Sequence, residues 1–167
     1  MRVYAFRHVH GVEVGRGVFL GPGISLVKPG NVTLCDRSSL AAGVSLWSES
    51  EEGRLRLGHG AQVNRDVYLD FSGGLTLERD VLVSAGAIIY THDHGRDPRS
   101  EPTFSELVVG EGAWVGVRAI VLPSVNYIGR GAVIGAGAVV TCDIPDGATY
   151  VGAKGRLIEP GQARTGE

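Results

Sequence analysis

Thr91-His92-Asp93-His94 sets two imidazoles on either side of a carboxylate within four residues. A neutral imidazole, with a reference pKa near ~6.5, can take a proton from a hydroxyl near neutral pH, so either ring is a candidate general base. Asp93 can orient one of these rings, contact an acceptor or stand in solvent. Asp70, in Tyr68-Leu69-Asp70, offers a carboxylate that accepts a hydrogen bond from a hydroxyl or attracts an amine, and the same residue type also caps its own turn. Trp114 supplies an apolar ring suited to a sugar face, a loop or a subunit interface. The other histidines, His8, His10 and His59, are scattered. Cys35 and Cys142 match no metal or redox spacing, so both are expected to be buried free thiols and no metal is expected.

The scaffold that must position these groups is written in a six-residue period. Aliphatic residues recur in triplets: Val14, Leu20, Leu26; Leu34, Leu40, Leu46; Leu57, Val63, Leu69; Leu77, Val83, Ile89; Val109, Val115, Val121; and Ile128, Ile134, Val140. From the third member of one triplet to the first of the next the steps are 8, 11, 8, 20 and 7 residues, so every insertion falls at one joint in three. Small or turn-forming residues follow most first and second members, as in Gly58, Asn64, Gly110 and Gly116. Six is not a helical period, and an antiparallel sandwich would not confine length variation to every third connection. The pattern predicts an all-β triangular prism. Three short strands form each coil of about eighteen residues, one aliphatic per hexad points to the axis, and stacked coils pair in parallel. Six coils can be counted, with room for a seventh before Val14. The largest insertion, between Ile89 and Val109, predicts one long polar loop over about residues 92–106, and it opens on the two histidines.

Composition narrows the partners. The 167 residues carry 16 basic and 18 acidic side chains, a net charge of −2, with no long run of either sign. No broad basic face is available for nucleic acid or an anionic membrane, and no stretch approaches the ~18 apolar residues of a membrane span. The sequence reads as one domain, 1–167, with a repeat core of about 12–158 and a tail at 159–167, and as a cytoplasmic protein.

Val109-Gly110-Glu111-Gly112-Ala113-Trp114-Val115-Gly116 and Ile128-Gly129-Arg130-Gly131-Ala132-Val133-Ile134-Gly135-Ala136-Gly137-Ala138-Val139-Val140-Thr141 resemble the signature of the hexapeptide-repeat acyltransferases, in particular maltose and galactoside O-acetyltransferases and polysaccharide acetyltransferases. The resemblance implies a single-domain left-handed parallel β-helix, whose handedness the spacing alone does not reveal. It implies acetyl transfer from acetyl-CoA to a hydroxyl of a sugar or related small molecule, by direct attack on the thioester. The Thr-x-x-His pattern that opens the family's loop maps onto Thr91 and His94, which makes His94 the implied general base. His92, Asp93, Asp70 and Trp114 fall at the implied acceptor site, with Asp70 standing where the family's motif ends in Asn. The Val117 backbone N–H matches the family's donor to the thioester oxygen. Gly135, Ala136, Gly137 and Thr141, with Lys154 and Arg156, fall on the implied coenzyme A path, although Thr141-Cys142 and Gly152-Ala153-Lys154-Gly155-Arg156 depart from the usual Thr-Lys and Gly-x-Pro-Ala-Lys/Arg.

The resemblance further implies a homotrimer with sites shared between subunits, which would cover apolar residues such as Leu46, Trp47 and Trp114. Two other functions use the same prism: a non-catalytic scaffold or assembly module, and a γ-type carbonic anhydrase-like enzyme with zinc on three histidines. The histidine spacing here does not reproduce the latter.

Overall fold

The computed structural model of the protein describes residues 3, 6, 11–28 and 31–152. Its strands are two or three residues long and build three parallel sheets of six, seven and six strands, which are the three faces of a prism. One coil runs Leu75–Leu77 on the first face, Leu82–Val83 on the second and Ile88–Ile89 on the third. The next coil begins again on the first face at Leu107–Val109. Six coils are complete. A seventh begins at the C-terminal end, where Ile144 bridges to Ile128 and Thr149–Tyr150 joins the second face. The segment before Val14, where the sequence leaves room for a seventh coil, lies largely outside the described residues. Among the described residues, no helix is long and apolar enough to cross a membrane.

The sixfold aliphatic series is the register of the sheets. Leu57 pairs with Leu77, Leu77 with Val109 and Val109 with Ile128; Val63, Val83, Val115 and Ile134 form the matching ladder on the second face, and Leu69, Ile89, Val121 and Val140 that on the third. All the members of the series are buried except Val14 and Leu26, which are half-buried in the first coil. Each fully buried aliphatic side chain contributes on the order of 1.5–3 kcal/mol, so the axis is the main source of stability.

A second inward column escapes the sixfold reading. Two residues before most series members, Val12, Val32, Val44, Leu55, Ala61, Val67, Leu75, Val81, Ala87, Leu107, Ala113, Ala119, Ala132 and Ala138 are also buried. Alternation along a strand puts positions two apart on one side. These residues sit nearer the corners, where alanine often suffices.

Stacking at sheet spacing brings the corners into backbone contact. A Cβ on Gly58 would lie 2.6 Å from the Glu78 carbonyl carbon and 2.8 Å from the Arg79 nitrogen, so a side chain there would separate the coils. The corner between the third face and the first takes up the irregular lengths. The long insertion is not a plain loop: His92–Asp93 pairs antiparallel with Thr103–Phe104, forming a hairpin off this corner. Its root is closed by Ser105 N–H donating to the Thr91 carbonyl at 2.9 Å.

The thiol expectation needs correction. Both cysteines are free, but Cys35 is only half-buried and Cys142 is exposed. Cys142 follows Val140 by two residues, past the end of its strand, where the chain has turned the corner.

Candidate active site

The strands Ser45–Trp47, Tyr68–Asp70 and Ile88–Ile89 stack on the third face, with Trp47 level with Asp70. The chain leaving each strand turns the same corner, and these three exits bring Glu49, Asp70 and the His92–His94 hairpin together. The parallel register therefore collects residues far apart in sequence.

Asp70 is completely buried. Its Oδ1 accepts hydrogen bonds from the Ser72 N–H at 3.1 Å and the Ser72 hydroxyl at 2.5 Å. Its Oδ2 accepts the Thr91 N–H at 2.6 Å, the Thr91 hydroxyl at 2.8 Å and the His92 Nδ1–H at 2.9 Å. Burial raises the pKa of this carboxyl, but the hydrogen bonds from Ser72, Thr91 and His92 outweigh it and hold the group below its ordinary value. Asp70 is thus an ionised anchor behind His92. This corrects the expectation that it touches the acceptor, because its oxygens are enclosed and already engaged.

His92 is nearly buried, with its side chain 10% exposed, and His94 is 28% exposed. The two rings meet edge to face with centroids 5.4 Å apart. His94 Nδ1 lies 2.8 Å from the Ser100 carbonyl oxygen. A carbonyl and an ionised carboxylate can only accept, so hydrogen bonding assigns the Nδ1 proton to both rings and leaves both Nε2 atoms as the basic nitrogens when the rings are neutral. Both Nε2 atoms turn toward Glu49: His92 Nε2 is 3.6 Å from Oε1 and His94 Nε2 is 3.5 Å from Oε2. A cavity of about 300 Å³ opens here, lined by Tyr90, His92, Asp93, His94, Pro98 and Pro123. Asp93 lines it as well, yet its carboxylate caps its own turn by accepting the Gly95 N–H at 2.8 Å.

Glu49 is the site residue that sequence reading misses. It lies in the 11-residue step between Leu46 and Leu57, the second largest insertion at the corner that also carries the histidines. That shared corner was the available signal.

The remaining expected site residues lie elsewhere on the chain. Trp114 projects from the second face, is 48% exposed, and donates its indole N–H to the Ser84 hydroxyl at 2.8 Å. Val117 follows at the corner between the second and third faces, also exposed. Gly137 N–H donates to its carbonyl at 2.8 Å, so Gly135, Ala136 and Gly137 stack on the same corner one coil up. Thr141 is exposed on the histidine side of the third face, two coils above the hairpin, because Ile89, Val121 and Val140 pair in succession. Lys154 and Arg156 lie outside the described residues, as do His8 and His10. His59 stands at a different corner, its Nδ1 3.4 Å from an Arg79 guanidinium nitrogen.

Apolar exposure is concentrated on two faces. Trp47, Trp114, Val117 and Val139 are each more than a third exposed. Leu46, expected among the uncovered residues, is instead 1% exposed, because as a third triplet member it points to the axis.

Residues 106–142 match the model described as the hexapeptide repeat of succinyl-transferase. The chain is 33% identical over 166 residues to the bifunctional protein GlmU of Alkalilimnicola ehrlichii, a match that covers 99% of this chain and 32% of GlmU. It is 32% identical over 111 residues to the putative lipopolysaccharide biosynthesis O-acetyl transferase WbbJ of Escherichia coli, covering 59% of this chain and 56% of that one. It therefore spans about a third of the first relative and a little over half of the second. Among solved structures, AntD, an N-acyltransferase from Bacillus cereus in complex with dTDP and 3-hydroxybutyryl-CoA, superimposes with a TM-score of 0.66 at 19% identity, over 88% of this chain and 81% of that one. A maltose O-acetyltransferase from Clostridium difficile does so with a TM-score of 0.64 at 22% identity, over 90% and 70%. At these identities the two structures establish the shared fold.

Proposed function

Because the chain belongs to the hexapeptide-repeat acyltransferase family, we propose that it transfers an acyl group, acetyl in the first instance, from acetyl-CoA to a hydroxyl of a sugar or related small molecule. The observation that carries this reading is His94 in the lining of the hairpin cavity, its ring oriented by the Ser100 carbonyl. An acceptor hydroxyl is a poor nucleophile until its proton is being removed, and an oriented neutral imidazole removes it.

In this reading His94 Nε2 takes the proton as the acceptor oxygen attacks the thioester carbon, and the thiolate of coenzyme A departs. His92, held by Asp70, fixes the floor of the cavity and touches the acceptor together with Asp93. Backbone donors stabilise the developing oxyanion, with the Val117 N–H as the expected one. Gly135, Ala136, Gly137 and Thr141, with Lys154 and Arg156, are the proposed coenzyme A contacts.

The placement of Val117 supports a homotrimer. His94 and Val117 lie on different corners of one chain, at opposite edges of the third face, so a second copy is needed to bring a Val117 corner to a His94 corner. Trp114 would reach the cavity in the same way.

The test is coenzyme A release from acetyl-CoA by tag-free protein across a panel of sugars, nucleotide sugars and amines. Turnover with a hydroxyl acceptor that collapses in His94→Ala supports the reading. Turnover confined to amines would move the assignment to N-transfer, and no turnover with any acceptor, together with no coenzyme A binding, would leave a scaffold role.

A further inference from the structure

The Glu49, His92 and His94 side chains each offer one ligand atom, and these atoms all lie within 4.8 Å of one another. From this geometry we infer that the three residues form a binding site for a divalent transition-metal ion of the zinc class, one whose occupancy excludes the proton-accepting role proposed for His94. The inhibitory part rests on the acyltransferase reading; the binding part does not.

Three observations carry the site. First, both imidazoles have the Nδ1 proton tied to an acceptor, Asp70 in one case and the Ser100 carbonyl in the other. Both Nε2 lone pairs therefore face the Glu49 carboxylate when the rings are neutral, an arrangement of three electron-rich atoms that a cation between them stabilises. Second, the separations of 3.5 and 3.6 Å are too long for imidazolium–carboxylate hydrogen bonds, which close to about 2.7–2.9 Å. Each is close to the ~3.4 Å that separates two ligands ~2.1 Å from zinc, with one imidazole set on each Glu49 oxygen, His92 on Oε1 and His94 on Oε2. Third, the outer contacts are those of a metal site. A carboxylate–histidine pair and a carbonyl–histidine pair orient the two rings.

Two imidazoles and a carboxylate suit zinc, cobalt or nickel rather than magnesium or calcium. A fourth ligand would be water or an anion. A metal on His94 Nε2 occupies the lone pair that would accept the acceptor's proton, so bound ion and base activity are alternatives at one atom.

The experiment uses chelator-stripped, tag-free full-length chain titrated with Zn²⁺ alone by calorimetry, and with Co²⁺ alone by visible absorption. The expected result is one ion per chain, intense Co²⁺ bands of a four-coordinate N/O site, and at least a 100-fold loss of affinity in His94→Ala. Glu49→Gln, at an exposed position where folding is not at risk, should lose at least 10-fold, and Asp70→Asn between about 10- and 100-fold. Absence of stoichiometric Zn²⁺ binding, or Zn²⁺ affinity unchanged in both His94→Ala and Glu49→Gln, overturns the site. The two readings separate cleanly. Binding without any effect of His94→Ala on metal-free turnover sinks the base and leaves the metal site, whereas His94-dependent turnover without Zn²⁺ binding does the reverse.

Discussion

His92 Nδ1 lies 2.9 Å from the Oδ2 of Asp70, and that same oxygen accepts from both the backbone and the hydroxyl of Thr91. One buried carboxylate therefore ties the third face of the prism, the root of the hairpin and the inner imidazole into a single unit. Asp70→Asn keeps the shape but places an NH₂ among donors, leaving at least one buried group without a partner. It should lower stability by about 1–3 kcal/mol, read as a shift of the urea midpoint. An unchanged midpoint would mean that the carboxylate does not hold the corner.

His94→Ala should lower the turnover of metal-free protein by roughly 10²–10⁴-fold while coenzyme A affinity changes little, as expected for loss of a general base. His92→Ala should cost less, because its ring supports the cavity floor. The opposite ranking in steady-state kinetics would assign the base to the Asp70-paired imidazole.

Gly73 lies where both ends of the hairpin pass. A Cβ there would stand 2.4 Å from the Ser105 carbonyl oxygen and 2.6 Å from that of Thr91. Both obstacles are backbone, so Gly73→Ala must displace the root of the hairpin. A loss of about 1–3 kcal/mol is expected, together with faster amide exchange at Ser105, whose N–H closes the root. Normal protection at Ser105 would contradict this account.

The Tyr68 phenol is pushed up to about 12, chiefly by burial and then by the Asp70 carboxylate, the Tyr90 phenol and the Glu49 carboxylate. In the unfolded chain the group ionises near its ordinary value of 10.0, so between these values the folded state holds a proton that the unfolded state has released. Stability is therefore expected to be intact below about pH 10 and to fall as the pH rises toward 12. Thermal unfolding across that window should show a shallower decline in Tyr68→Phe than in the parent chain. Equal slopes would remove Tyr68 as the cause.

In solution the chain is expected to be a trimer by light scattering at micromolar concentration. Trp114→Glu, which sets a charge on the apolar part of the second face, should shift it toward monomer and lower turnover without disturbing the core. A parent chain that is monomeric would contradict the shared-site arrangement.

The repeat was legible because burial on a prism axis is a one-dimensional condition. Every sixth residue must be aliphatic, and Leu57, Val63 and Leu69 declare this without any knowledge of their neighbours. The position of the histidines was legible for a related reason: a stack tolerates insertions only where they project outward, so the longest step, Ile89 to Val109, had to carry the protruding segment. The sequence by itself thus determined the prism, its variable corner and the two imidazoles placed there. The tertiary structure decided what surrounds them. Glu49 lies more than forty residues before His92 and reaches it because parallel register sets successive coils in line. Asp70 became an enclosed anchor rather than a surface group, because Ser72 and the hairpin root close over it. The antiparallel pairing of His92–Asp93 with Thr103–Phe104 depends on where two distant backbone stretches emerge, and no local propensity encodes that. Periodicity reports which side of a strand faces inward, but only the stacking of coils determines which outward groups meet.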